Sequence, residues 1–261
     1  MSPFELLETR IYDFILVSAR IGGIIAFAPV FGASNLPTRV RVFLTIALGW
    51  VFAGMLGPLQ YEAEPTSAGL IMQLAGEATI GAAIGFVASI IFEIIIFAGY
   101  IIDYMIGFGF INIVDPQSGS SISIFAFFYS FLALLIFLLT DTHHIIIEIM
   151  MRSYELIPIF GVRLYENSMD RVLDLTAAIF STGFQIAAPI FLVMFTIDFS
   201  LGMISKTVPQ LQILVVGFPL KIAVGLVAIA LVIKPTFLFF IRMLADYRET
   251  LLWIYKYFGA G

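Results

Sequence analysis

The chain has 261 residues, 61% hydrophobic and 12% charged, with a net charge of −5 and no cysteine. Soluble domains run at about 45–50% apolar and about 25% charged, so this composition, with a mean hydropathy of +1.06, excludes a soluble globule and a disordered chain. Thirteen basic residues against 18 acidic ones leave no basic footprint for nucleic acid, and without cysteine there is no disulfide, thiolate metal site or cysteine nucleophile. These numbers describe an integral membrane protein, which the long apolar stretches below make all-α.

At the N-terminus Glu5 and Glu8 precede Arg10, the wrong charge order for a cleavable signal, so the first apolar stretch is expected to be retained. Crossing a bilayer takes about 20 mostly apolar helical residues. Six stretches approach that length: 11–31, 42–59, 78–102, 122–139, 172–197 and 211–233, the last continuing past Lys234 and Pro235 to Ile241. Pro189 and Pro219 interrupt two of them, so several helices are expected to be kinked or broken. Small residues recur every fourth position at Ser18, Gly22 and Ala26, at Gly49, Ala53 and Gly57, and at Gly81, Gly85 and Ser89. Such stripes let membrane helices approach closely and suggest helices largely covered by other helices. With six spans, one side collects Arg10, Arg152, Arg163, Arg171, Arg242, Arg248 and Lys256, the other Arg39, Arg41 and Lys206. The positive-inside rule then puts both termini in the cytoplasm.

Between the third and fourth stretches lie Gly107, Phe108, Gly109, Phe110, Ile111, Asn112, Ile113, Val114, Asp115, Pro116, Gln117, Ser118 and Gly119. The segment is half apolar, yet its Gly, Pro, Asp and Ser residues forbid a continuous helix. Irregular backbone at membrane depth is tolerated only inside protein or along a water-filled cavity. An extramembrane turn opened by Asp115 and Pro116, with serines capping the next helix, fits the composition equally well.

Arg20, Glu93, Gln185 and Lys221 lie inside apolar stretches. Of these, Arg20, Glu93 and Lys221 are expected to be structural buried charges, since intramembrane charges face a bundle interior, pair, or mark an ion path. A proton relay would show several carboxylates; whether Glu93 and Lys221 pair is open. Asp141, His144 and Glu148 share a helical face, with His143 beside them. Imidazole and carboxylate suit zinc or iron, but a helix start with Thr140 or Asp141 as N-cap explains the pattern better, and no metal is expected. The C-terminal segment is amphipathic. Arg242, Asp246, Glu249 and Lys256 lie on one face and Leu244, Tyr247, Leu251, Ile254 and Phe258 on the other, fitting a membrane-interface helix or a partner-docking helix. No nucleophile elbow, phosphate-binding loop or catalytic acid pair is present, so neither an enzyme nor a cofactor is expected.

Residues 28–41, from Ala28 through Pro29 and Gly32 to Arg41, resemble the first loop of the FliR family of flagellar biosynthesis proteins, the FliR/SctT-like export-gate family of type III secretion. The resemblance continues in order through residues 115–119, 137–144, 153–158, 198–210 and 217–222, with Lys206 where the family commonly has Arg. The His143–His144 pair is similar to the flagellar rather than the injectisome branch. The resemblance implies a single subunit with a FliP-like part, 1–170, and a FliQ-like part, 171–261, whose helices pack in a hetero-oligomeric export gate. Implied partners are FliP and FliQ, with FlhB and the flagellar rod base, in the bacterial inner membrane at the flagellar basal body. Unfolded flagellar proteins would pass through the pore, plugged when closed by residues 107–119. A stand-alone ion-coupled transporter is the alternative.

Overall fold

Long apolar runs with few helix breakers satisfy their backbone groups internally only as helices or closed barrels, and this chain forms helices. The computed structural model describes residues 3–29, 31–32, 36–56, 67–108, 123–158, 168–207 and 213–258. Their helices, in chain order, are α1 (Pro3–Phe27), α2 (Thr38–Leu56), α3 (Ser67–Ile106), α4 (Ile124–Leu139), α5 (Thr142–Leu156), α6 (Ser168–Thr207), α7 (Ile213–Ala245) and α8 (Tyr247–Phe258).

Four of these helices are long and apolar enough to cross a membrane, at Thr38–Leu56, Gly69–Ile106, Val172–Thr207 and Val216–Ala245, or five if α4 and α5 form one broken span. Two of the six apolar stretches are not among these spans by themselves. The first apolar stretch carries Arg10, Asp13 and Arg20 in α1, and Asp13 and Arg20 are fully buried in protein. The fourth stretch is only the 16 residues of α4, ended by a turn at Thr140 and Asp141. The prolines do not end their helices: Pro189 lies inside α6, and Pro219 and Pro235 lie inside α7.

The chain divides into two compact units that exchange chain segments. The first comprises Met1–Ile90, Asp141–Leu173 and Asp246–Gly261. In it the small-residue stripes do the packing that their spacing promised. A Cβ added at Gly49 would strike the Ser18 side chain, which brings α2 against α1. Cβ atoms at Gly81 and Gly85 would meet the backbone of Arg20 and Ile24, which brings α3 against α1. Around these contacts Leu16, Val17, Ile21, Ile24, Ile84 and Ile149 are almost wholly buried.

The second unit comprises Ile91–Thr140 and Asp174–Ala245. Glycines again mark its close approaches, Gly99 of α3 to the Ala126 backbone of α4, and Gly183 of α6 to Ile94 and Phe97 of α3. Aromatic side chains fill the space beside them. The Phe92 ring stands edge-on to Phe137 at 5.2 Å and to Phe240 at 6.0 Å, and Tyr129 meets Phe237 at 5.7 Å. Such geometries are preferred because a ring's positive edge meets its neighbour's negative face. The most apolar stretch of α3 is 61% buried within the chain, against 22% for those of α6 and α7. α3 thus keeps little apolar surface exposed, while α6 and α7 hold much of theirs outward.

Candidate functional site

Arg20 lies in the middle of α1 and is fully buried. Its Nε donates to Glu77 Oε2 of α3 at 2.5 Å, and Glu77 is itself buried. Its Nη1 donates to the carbonyls of Ser153 at 2.8 Å and Ile157 at 2.9 Å. Those carbonyls stand at the C-terminal end of α5, where helix acceptors lack partners and the helix dipole is negative. The last turn of α5 has no basic residue of its own, so α1 supplies the cap. The guanidinium also lies over the Tyr154 ring, 4.3 Å from its centroid, and Tyr154 Oη donates to the Val17 carbonyl at 3.0 Å. One cation thereby ties three helices of the first unit.

Sequence reasoning singled out Arg20 but missed Glu77, because the apolar stretch was taken to begin at Ala78. α3 starts at Ser67, so Glu77 stands well inside a helix. A carboxylate one residue before an apolar run that also needs a counter-charge was the available signal. Beside this cluster Tyr12 Oη donates to Gln73 Oε1, a second polar tie between α1 and α3.

Lys221 of α7 pairs with Asp198 of α6, at 2.9 Å from Oδ1 and 3.0 Å from Oδ2. Lys221 is partly covered and Asp198 is exposed. The open question of a pair with Glu93 is answered by this geometry, which gives Lys221 a different acid. Glu93 is exposed on the surface of the chain, a correction to its expected burial, because its neighbours Phe92 and Ile94 take the inward positions on α3.

Of the half-apolar segment, Gly107 and Phe108 are described, and 109–119 lie outside the described residues. Both roots of the segment are built in the second unit. Gly107 takes φ +102°, a left-handed conformation that costs glycine little, and its N–H donates to the Asp103 carbonyl at 3.2 Å. A side chain there would also meet the Phe218 ring. Asp103 Oδ1 accepts from the N–H of Phe125 at 3.4 Å, and the Phe108 ring packs edge-on to Phe125 at 5.7 Å. Ser123 then caps α4 through its Oγ, which accepts from Ala126 N–H at 3.2 Å. The end of α3 and the start of α4 are thus held together by a carboxylate, a ring pair and a cap.

Asp141, His143 and His144 come together at the start of α5, with one potential ligand atom from each within 4.8 Å of the others. The two imidazole rings lie 4.2 Å apart, and His144 Nδ1 is 3.8 Å from Asp141 Oδ1. Asp141 is the N-cap residue of α5, in the left-handed region at φ 54°, but its side chain makes no capping bond. Glu148, the other acid of the face, is drawn instead to Arg152 at 2.9 Å and Arg248 at 2.6 Å. The hydrogen bond to Glu148 holds the Arg248 guanidinium above its ordinary pKa.

That ion pair anchors α8. Tyr247 and Leu251 are buried, Tyr247 Oη donates to the Ala88 carbonyl of α3 at 2.8 Å, and Leu244 is buried at the end of α7. The apolar face expected to meet a membrane interface or a partner is, at these three residues, filled by the chain itself. Ile254 and Phe258 lie beyond the described side chains.

The family described as bacterial export proteins, family 1, matches residues 11–247. The chain is 30% identical to the flagellar biosynthetic protein FliR of Bacillus subtilis (strain 168), over 86% of this chain and 87% of that protein. It is 31% identical to FliR of Pectobacterium carotovorum subsp. carotovorum, over 82% and 81%, and 30% identical to FliR of Escherichia coli (strain K12), over 79% and 78%. A membrane protein of packed apolar helices, matched along nearly its whole length, this chain belongs to family 1 of the bacterial export proteins.

Proposed function

We propose that the chain is a non-enzymatic subunit of the flagellar type III export gate in the bacterial inner membrane, helping to build the pore through which unfolded flagellar proteins leave the cytoplasm. FliP and FliQ would be its direct partners, with FlhB and the rod base beside them, and 1–170 and 171–261 would be its FliP-like and FliQ-like parts. The observation that carries this reading is the family match over 11–247. The outward apolar surface of α6 and α7 supports it further, since helices whose most apolar stretches are only 22% buried within their own chain leave faces for neighbouring subunits. Residues 107–119 would plug the closed pore. The built roots at Asp103, Gly107, Phe108 and Phe125 favour a held loop over a slack turn.

Extraction from the native membrane in mild detergent, followed by mass measurement, tests the gate. A particle many times the 28.9 kDa of one chain, containing other membrane subunits, is the expected result. A monomer or dimer active in ion transport would overturn it.

A further inference from the structure

An open groove of about 290 Å³ runs between α4 and α7 in the second unit. Leu132 and Ile136 line it from α4, and Ile233, Phe237 and Ile241 from α7, with Lys234 as the charged residue among the lining side chains. The walls are carbon almost throughout, so Lys234 contributes its methylenes to them while the residue as a whole is exposed. The two lysines of α7 differ sharply. Lys221 is paired with Asp198, whereas Lys234 has no ion-pair or hydrogen-bond partner among the described residues. Yet it lies inside Val216–Ala245, a helix long and apolar enough to cross a membrane.

An ammonium on a membrane helix needs an anion or a route to water. An apolar trough beside an unpaired cation is complementary to a molecule with a hydrocarbon tail and a negative head. We propose that the α4–α7 groove binds one anionic diacyl phospholipid, with an acyl chain along Ile136, Ile233 and Phe237 and the phosphate on Lys234. The site rests on the membrane placement of α7 and not on the gate reading, so either can fail without the other.

Native mass spectrometry of the purified full-length chain in neutral detergent tests this, comparing phosphatidylglycerol with phosphatidylcholine of the same acyl chains. The expected result is retention of phosphatidylglycerol over phosphatidylcholine by about fivefold, the worth of one lysine near an anionic head. Lys234→Gln abolishes the preference, Lys234→Arg keeps it, and Ile136→Trp lowers retention of both lipids by filling the trough. A photoactivatable phosphatidylglycerol should label peptides of α4 and α7. An unchanged preference in Lys234→Gln, labelling elsewhere, or full competition by inorganic phosphate would overturn the proposal. So would cross-linking in native membranes that shows a protein segment lying in the groove.

Discussion

Arg20 of α1 and Glu77 of α3, separated by 57 positions in sequence, form an ion pair at 2.5 Å from which solvent is almost absent. Taking both charges out of water is costly, and removing one leaves the other buried and uncompensated. Arg20→Met is therefore expected to destabilise the first unit by about 3–5 kcal/mol, seen as a lower unfolding temperature in detergent and less chain in the membrane. It also uncaps α5. The double variant Arg20→Met/Glu77→Leu should recover part of the loss. A single variant of normal thermal stability would remove Arg20 from its structural role.

The glycine stripe makes a sharper steric test. At Gly81 a side chain would overlap the Arg20 backbone, whereas at Gly76, on the same helix, nothing lies within 4 Å. Gly81→Leu is expected to cost about 1–3 kcal/mol or more by overpacking. Gly76→Leu should be neutral or gain up to about 1 kcal/mol from better helix propensity. Comparing unfolding of the two variants as isolated chains decides it, and equal losses would count against the α1–α3 contact.

Loop removal separates a plug from a turn. Deleting 110–118 keeps Asp103, Gly107, Phe108 and the Ser123 cap, so the complex should assemble at normal yield while the membrane leaks small ions or dyes. Asp103→Ala removes one hydrogen bond at the root, worth about 1 kcal/mol, and should give a smaller leak. Normal assembly with unchanged ion permeability in the deletion would refute the plug.

Lys221 and Asp198 should behave as a unit. Lys221→Met leaves the acid unpaired and is expected to lower the yield of assembled complex, whereas Lys221→Met/Asp198→Leu restores most of it. A double-mutant cycle on assembly should give a coupling of about 0.5–3 kcal/mol. Normal assembly in Lys221→Met with export alone lost would point to ion coupling instead.

Much of this architecture is written locally. Composition places the chain in a membrane, and apolar stretches of about 20 residues make its spans helices, which satisfy their backbone hydrogen bonds within each segment. Four-residue spacing of Gly81 and Gly85 marks the face where backbones meet, since small residues share a face every turn. Ordered motifs along the chain carry the family resemblance. What spacing leaves open is which face meets which. Arg20 declares a need for an anion, but the choice of Glu77 over Glu93, and of α5 as the helix it caps, depends on segments brought together from 57 and more than 130 positions away. The same holds for the tail. Its amphipathic pattern is plain in the sequence, yet only the tertiary structure decides that Tyr247 and Leu251 fill the chain's own core and that Arg248 reaches Glu148. An apolar face specifies burial without naming the partner, and a charge specifies pairing without naming the counter-ion. Packing geometry in three dimensions makes both choices.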